Sequence, residues 1–275
     1  MTTMQIKRFD PSTMKPHRIF LCVGKRGTGK STLIRDLMFH MKSFIHLPFA
    51  MTPTEESTKM FEECMPSACV HSECKPETLN NIIEHQRKRG RRHEAQEHLL
   101  MVLDDMMFDK KILKCLEMRD IFMNGRHLKI TFINAMQYVM DMGPDLRTQV
   151  DYVFALRENI ISNLTKLWKY FFGMFTNYHD FETTFKALTE DNGCIVIDNT
   201  VKSNQIKDTV FWYKADVTIG TYKLGRSRYW KLNYQYARTE EELAAIHKAG
   251  NGPADDQNKR IMTIHKENDP NSPVH

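Results

Sequence analysis

Long apolar runs, an apolar leader and paired cysteine motifs are all missing from this sequence of 275 residues. No run approaches the roughly 18 apolar residues that a membrane span needs, so we expect no contact with a membrane. Residues 1–16 mix charged and polar side chains, which does not fit a secretory signal. The missing signal therefore predicts an intracellular location. With 41% hydrophobic and 27% charged residues, the composition predicts a soluble globular protein.

The six cysteines show no Cys-x-x-Cys pair, and a reducing compartment favours free thiols over disulfides. Cys64, Cys69, His71 and Cys74 lie close together in the sequence and are chemically suitable zinc ligands. Their spacing differs from that of common structural zinc sites. Free thiols are therefore the preferred interpretation, and a zinc site is the alternative.

A strong net charge is also missing, because the formal value of +5 permits an anionic partner without identifying one. The positive charge is concentrated in one run, which contains Arg87, Lys88, Arg89, Arg91 and Arg92. Such a run can bind phosphate backbones or act as a nuclear import signal. A solvated loop is an equally good interpretation.

Apolar runs of β character alternate with segments of helical spacing along most of the chain. Strands are predicted at 18–24, 44–51, 98–103, 128–135 and 152–156. Helices are predicted at 31–42, after an N-cap at Thr54, and at 109–124. This alternation predicts an α/β fold with a mostly parallel sheet covered by helices on both faces. Further helices at 162–175 and 179–188, and strands at 194–197 and 210–213, are expected to extend that sheet.

The chain length fits one α/β domain with additions at its ends. We predict an N-terminal extension over 1–16 and a single domain over 17–249. Residues 250–275 are rich in Gly, Pro, Asn and Asp with few apolar side chains, which predicts a disordered tail.

Residues 24–31 satisfy every position of the P-loop (Walker A) pattern, Gly-x4-Gly-Lys-Ser, between a predicted strand and a predicted helix. Glycines let the backbone N–H groups turn inward around phosphates, and the helix points its positive end at them. The pattern predicts ATP binding with magnesium, in which Lys30 neutralises the β- and γ-phosphates and Ser31 ligates the metal. The residues expected to contact the nucleotide are Gly24, Lys25, Arg26, Gly27, Thr28, Gly29, Lys30, Ser31 and Thr32.

Two aspartates follow the apolar run at 99–103 and form a Walker B pattern. A P-loop needs an acidic partner at the end of a neighbouring strand, and we expect Asp104 to hold magnesium through its water shell. Asp105 is placed to polarise an attacking water, which suits hydrolysis more than transfer to an acceptor. The alternative for Asp105 is the N-cap of the next helix.

Polar side chains stand on either side of the strand predicted at 128–135. Gln137 offers its amide to the γ-phosphate or to the attacking water, and an exposed glutamine is the alternative. Arg126 lies in the preceding turn, from which it can reach the nucleotide of a neighbouring subunit in a ring. Arginine stabilises the transition-state charge well because its planar fork contacts two oxygens. An ordinary surface arginine is the alternative.

The order of these features resembles the DNA-packaging ATPases of nucleo-cytoplasmic large DNA viruses, the poxvirus-type branch of the FtsK/HerA superfamily. The resemblance covers most of the chain and rests on GKRGTGKS, LLMVLDD, the Asn-Gly-Arg-His turn, the following strand with its glutamine, DYVFALR and VFWYKA. Its specific part is the order in which Arg126 precedes the strand and Gln137 follows it, as the arginine finger and sensor glutamine of the superfamily do.

The resemblance implies a RecA/FtsK-like core in a homo-oligomeric ring that pumps double-stranded DNA into a preformed capsid. It also implies contact with a capsid or capsid-vertex protein. The implied location is the virus factory in the host cytoplasm, with the virion and a nuclear stage left open. The superfamily usually has glutamate where this chain has Asp105, which is shorter. Arg157, at the end of the strand at 152–156, is a second candidate finger behind Arg126.

Two other functions also use a P-loop on an α/β domain. A nucleotide kinase needs an acceptor site and an arginine-rich lid, and the acid pair with Gln137 argues against it. A nucleotide-binding regulator or scaffold with little turnover would need neither Asp105 nor Arg126. A DNA motor would contact mostly phosphates, so its DNA affinity should fall steeply as salt rises.

Overall fold

The computed structural model describes residues 5–106, 112–137, 142–203 and 205–236. Its strands are β1 Lys7–Arg8, β2 Ile19–Val23, β3 Leu47–Met51, β4 Val70–His71, β5 Leu99–Asp104, β6 Ile130–Met136, β7 Tyr152–Leu156, β8 Gly193–Asp198 and β9 Val210–Lys214. Its α-helices are α1 Lys30–Met41, α2 Glu55–Cys64, α3 Pro76–Arg91, α4 Leu116–Asn124, α5 Pro144–Arg147, α6 Ile161–Phe171, α7 Tyr178–Leu188, α8 Ile206–Thr209 and α9 Ser227–Tyr236. Within these ranges no helix combines the length and the apolar character that crossing a bilayer requires.

The strands of the described residues form one sheet in the order β1-β9-β8-β7-β2-β6-β5-β3-β4. Only β8 runs against its neighbours, pairing antiparallel with β7 and β9. The predicted mostly parallel sheet, extended by the late strands, is therefore confirmed. The expectation that the acidic strand is the neighbour of the P-loop strand was wrong, because β6 lies between β2 and β5. Residues at the carboxyl ends of β2, β6 and β5 still meet at one edge of the sheet.

Both faces of the sheet are buried under helices, as predicted. Leu21 and Phe132 point into a core shared with α3, α4, α6 and α7. Phe20 and Cys22 point the other way, into a core shared with α1 and with Phe61 of α2. Alternate residues of β2 thus face opposite cores, which explains why the parallel strands read as continuous apolar runs. The tight packing of β2 fixes the position of the loop that follows it.

Several predicted boundaries differ from the structure. The helix expected over 109–124 begins at Leu116, after a 3-10 turn over Ile112–Lys114, and residues 107–111 lie outside the described part. Its start is capped by Cys115, whose Sγ accepts a hydrogen bond from the Met118 N–H. The helix expected over 162–175 ends at Phe171, two residues before Gly173, a residue that disfavours helix. The strand expected from 44 begins at Leu47.

The N-terminal segment provides the outermost strand of the sheet, beside β9. Lys7 and Arg8 form β1 and pair in parallel with β9. Phe9 is 3% exposed, and its ring makes edge contacts with Tyr152 and Phe154. This segment therefore adds to the core, although its polar sequence carries no strand pattern. The boundary at residue 17 stays a prediction, and the tail over 250–275 lies outside the described residues.

No disulfide joins the cysteines of the described residues. Cys64, Cys69 and Cys74 are buried, and no three potential metal ligands come together in the part of the chain that the structure describes. Burial raises the pKa of the Cys64 and Cys69 thiols to about 11. Both are therefore protonated at neutral pH and behave as small apolar side chains.

Candidate nucleotide-binding site

The P-loop connects β2 to α1 by backbone conformations that need glycine. Gly27 and Gly29 have φ values of +77° and +89°, in the left-handed region where other residues are strained. At Gly24 a Cβ atom would lie 2.7 Å from Thr28 Oγ1 and 2.9 Å from Leu156 Cδ1. The glycines of the pattern are thus required by φ at two positions and by close packing at the third.

A cavity of about 260 Å³ lies over this loop at the carboxyl edge of the sheet. Its lining comprises Lys25, Arg26, Gly27, Gly29, Lys30, Ser31, Thr32, Thr54, Glu56, Ser57, Asp104 and Asp105. Of the residues predicted to contact the nucleotide, Gly24 and Thr28 do not line it. Gly24 packs behind the loop, and Thr28 Oγ1 donates to the Lys25 carbonyl at 2.7 Å, which closes the turn.

The start of α2 contributes three lining residues that sequence reasoning missed, Thr54, Glu56 and Ser57. They follow β3, whose carboxyl end lies on the same edge of the sheet as the P-loop. Thr54 does occupy the predicted N-cap position, but its side chain makes no capping hydrogen bond. The sequence signal for these residues was the cluster Thr-Pro-Thr-Glu-Glu after an apolar strand. That cluster points to the nucleotide site only once the strand order shows that β3 ends at the same edge as the P-loop.

Asp104 is 2% exposed and lies beside the P-loop lysine, with its Oδ1 4.0 Å from Lys30 Nζ. Ser57 Oγ donates to Asp104 Oδ2 at 2.8 Å. Burial raises the pKa of the Asp104 carboxyl, and the positive charge of Lys30 opposes that rise. Asp104 Oδ1 is buried and has no hydrogen-bond partner among the described residues.

That unpartnered oxygen tests whether the site fits a magnesium ion. A buried acceptor without a donor is costly, and a hydrated cation would satisfy it. Magnesium prefers oxygen ligands and keeps several waters. Asp104 and the hydroxyl of Ser31, which lines the same cavity, supply that chemistry. The predicted metal residues therefore fit the ion.

Asp105 and Gln137 form a pair at the rim of the cavity. Gln137 Nε2 donates to both carboxylate oxygens of Asp105, at 3.0 and 3.1 Å. Asp105 Oδ1 also lies 3.8 Å from Lys30 Nζ. The backbone of Asp105 has a φ of +53°, a left-handed conformation that costs about 1–3 kcal/mol in a residue other than glycine. The structure thus brings these two predicted residues together and fixes the direction of the Asp105 carboxylate.

The two candidate arginines lie at opposite edges of the sheet. Arg126 precedes β6, and its Nη2 lies 3.1 Å from Asp151 Oδ1. The seven residues of β6 span about 23 Å, at roughly 3.3 Å per residue, so Arg126 is remote from the cavity of its own chain. Arg157 follows β7 at the same edge as the P-loop and is exposed.

Beside Arg157, Glu158 holds a P-loop side chain, with its Oε1 2.6 Å from Lys25 Nζ. Burial alone would raise the pKa of Glu158, but hydrogen bonds from Lys25, the Ile160 N–H and Asn163 lower it. Glu158 is therefore ionised and keeps Lys25 at the mouth of the cavity.

Comparison with known proteins places this chain in a viral family. Protein 088R of Invertebrate iridescent virus 3 is 32% identical over 226 residues, which cover 78% of this chain and 86% of that protein. Protein L437 of Acanthamoeba polyphaga mimivirus is 32% identical over 222 residues, or 77% of each chain. The genome packaging NTPase B204 from Sulfolobus turreted icosahedral virus 2, in complex with AMPPCP, superposes with a TM-score of 0.53.

The structural likeness covers 74% of this chain and 100% of B204 at 16% identity, which shows a shared fold. The family model described as Poxvirus A32 protein matches residues 6–205. That range contains the P-loop, both aspartates, Gln137 and both candidate arginines. The chain therefore belongs to the poxvirus A32 protein family, as the order of its motifs indicated.

Proposed function

We propose that this protein is a DNA-packaging ATPase, which hydrolyses ATP to ADP and phosphate and moves double-stranded viral DNA into a preformed capsid. The observation that carries the hydrolytic part is the carboxylate of Asp105, held by Gln137 at the rim of the P-loop cavity and close to Lys30. A carboxylate fixed beside the phosphate site is suited to take a proton from water.

The residues of the chain divide the work of hydrolysis. Lys30 and the N–H groups of the P-loop bind the phosphates and stabilise their charge. Asp105 accepts the proton of the water that attacks the γ-phosphate, and Gln137 keeps its carboxylate aimed. Ser31 and Asp104 would hold magnesium, which neutralises phosphate oxygens when bound. General-base catalysis of this kind typically contributes about 10²–10⁴-fold in rate.

A second cavity supports binding of a nucleoside beside the phosphates. It measures about 280 Å³ and shares Ser31, Thr32, Glu56 and Ser57 with the phosphate cavity. From there it continues to Arg35 on α1, Met60 on α2, and Asp216, Val217 and Ile219 after β9. Val217 is 74% exposed, which leaves an apolar surface that a stacked base would cover. We place the nucleoside of ATP in this cavity.

Membership of the poxvirus A32 protein family and the fold shared with B204, which is described as a genome packaging NTPase, support DNA as the substrate. The position of Arg126 supports a homo-oligomeric ring, since that side chain can act only on the nucleotide of a neighbouring subunit. A capsid or capsid-vertex protein as partner, and work in the virus factory of the host cytoplasm, complete the proposal.

The direct test is steady-state ATP hydrolysis with and without long double-stranded DNA, at low and moderate salt. We expect DNA to stimulate hydrolysis, and the stimulation to weaken as salt rises, because phosphate contacts release counterions. Hydrolysis that ignores DNA, or that responds only to a small phosphate acceptor, would favour another class of P-loop protein.

A further inference from the structure

A buried carboxylate organises a group of cations at the amino edge of the sheet, opposite the nucleotide cavity. Glu97 precedes β5, and its side chain is 1% exposed. Its Oε1 lies 3.8 Å from Arg89 Nη2 and 3.4 Å from Arg226 Nη1, and it accepts a hydrogen bond from Arg228 Nη2. The end of α3 and the start of α9, far apart in sequence, are thus joined at one acid. We call Arg89, Arg226 and Arg228 the arginine cluster.

The charges in this cluster do not balance. Three guanidinium groups share one carboxylate, and arginine stays protonated at any physiological pH. Their other described partners are neutral, since Arg89 donates to the Ala95 carbonyl and Arg228 to the Tyr229 hydroxyl. A buried ion pair needs only one cation for one carboxylate, so the cluster carries surplus positive charge.

The histidine beside Glu97 does not change the charge balance of the cluster. His46 Nδ1 lies 3.3 Å from Glu97 Oε2 and accepts a hydrogen bond from the His98 N–H. Burial and the positive charge of Arg226 lower the pKa of His46, and the negative charge of Glu97 offsets that shift only in part. His46 is therefore neutral, and the surplus charge resides in the guanidinium groups.

The arginine cluster is open to solvent. The side chains of Arg226 and Arg228 are 46% and 50% exposed, and that of Arg89 is 24% exposed. The last turn of α3 also contains Lys88 and Arg91, of which Arg91 is paired with Glu84 at 3.3 Å. Guanidinium groups held in fixed positions with free N–H donors suit phosphate oxygens, which their planar forks bind in pairs.

We propose that the arginine cluster, fixed by Glu97, binds the phosphate backbone of duplex DNA. This inference rests on the proposed function and adds the surface by which the motor holds its substrate. The cluster lies about 20 Å from the nucleotide edge, the length of β5 at roughly 3.3 Å per residue. DNA and ATP would thus be held at opposite ends of the same parallel strands.

The test compares the Arg226→Gln/Arg228→Gln double variant with the wild type in binding to a duplex of mixed sequence, by fluorescence anisotropy over a salt series. Each lost phosphate contact should reduce the slope of log affinity against log salt by about 0.9. We expect the double variant to lose about 2 from that slope, at about 0.9 per contact. The rate of ATP hydrolysis without DNA should be unchanged.

Three further variants sharpen the comparison. Lys202→Gln/Lys207→Gln removes the same charge from exposed positions between β8 and β9 and should leave the slope unchanged. Arg226→Lys/Arg228→Lys keeps the charge and should retain most of the slope. The single variant Arg228→Gln should lose about half as much slope as the double variant. It leaves two arginines beside Glu97, so it can replace the double variant if that protein proves unstable.

An unchanged slope in the double variant, or an equal loss in the Lys202/Lys207 variant, would overturn the inference. So would a double variant that fails to assemble in light scattering yet binds DNA normally, since the cluster would then contact an acidic surface of a neighbouring subunit. Failure of the wild type itself to bind DNA would refute the proposed function, and this outcome is read before any variant.

Discussion

The carboxyl edge and the amino edge of the sheet, where the parallel strands end and begin, have opposite charge imbalances. At the carboxyl edge, one ammonium group, that of Lys30, lies within 4.0 Å of two carboxylates, and Asp104 keeps an unpartnered oxygen. At the amino edge, three guanidinium groups share Glu97 alone. The first edge is suited to an anion that brings its own cation, as ATP brings magnesium. The second is suited to an anion whose charge the protein must neutralise itself, as in a DNA backbone.

The change with the largest expected effect removes the ammonium group that lies near both carboxylates of the carboxyl edge. Lys30→Ala leaves Asp104 and Asp105 without compensation and removes the contact to the β- and γ-phosphates. We expect nucleotide affinity to fall roughly 100-fold, since a hydrogen bond to a charged group contributes about 1.5–3 kcal/mol, and hydrolysis to become undetectable. Titration calorimetry and phosphate release measure the two effects. Lys186→Ala, an exposed lysine paired with Glu182, is the matched control and should behave as the wild type.

Asp105→Asn removes the proposed base and keeps its shape. We expect hydrolysis to fall about 10²–10⁴-fold, the usual contribution of a general base, while ATP still binds. The bound nucleotide, extracted after the time that the wild type needs for one turnover, should remain ATP. Undiminished turnover in this variant would overturn the role assigned to Asp105.

Arg126→Ala tests whether an arginine at the amino edge acts on the nucleotide bound by a neighbouring subunit. We expect hydrolysis to slow by about 10³-fold, the lower end of the usual range for an arginine finger, with unchanged nucleotide affinity. Mixing Arg126→Ala with Lys30→Ala subunits should restore part of the activity, because an intact P-loop then faces an intact arginine. If mixing restores nothing and Arg157→Ala gives the larger loss, Arg157 is the finger.

Gln137 is expected to have the smallest effect of these residues, because it acts through Asp105. Gln137→Ala should lower kcat roughly 10-fold by releasing an oriented carboxylate, with little change in KM. Gln137→Glu places a like charge against Asp105 and should lower kcat further than Gln137→Ala. Equal rates for the two variants would show that the hydrogen bonds to Asp105 have no part in catalysis.

Sequence reasoning located those parts of the candidate site that are made of neighbouring residues. The P-loop spans residues 24–31, and its strand and helix flank it directly, so pattern and context were both visible. The pair Asp104 and Asp105 was equally local. No local pattern contains the order of strands in the sheet. That order places β6 between β2 and β5, and it brings Ser57 of α2 to the cavity.

The arginine cluster shows the same limit at the amino edge. Arg89 belongs to the basic run at 87–92, but Arg226 and Arg228 lie more than 100 positions away, and no local pattern marks Glu97. β1 was missed because a strand of two residues, both charged, has no periodicity to detect. Long-range pairing determines both features.

The most direct test of the motor is displacement of a third strand from linear duplex DNA. A triplex-forming oligonucleotide blocks the duplex, and a translocating protein removes it only while hydrolysing ATP. We predict displacement by the wild type with ATP and magnesium, and none by Asp105→Asn or with a non-hydrolysable analogue. DNA-stimulated hydrolysis without any displacement would contradict the account.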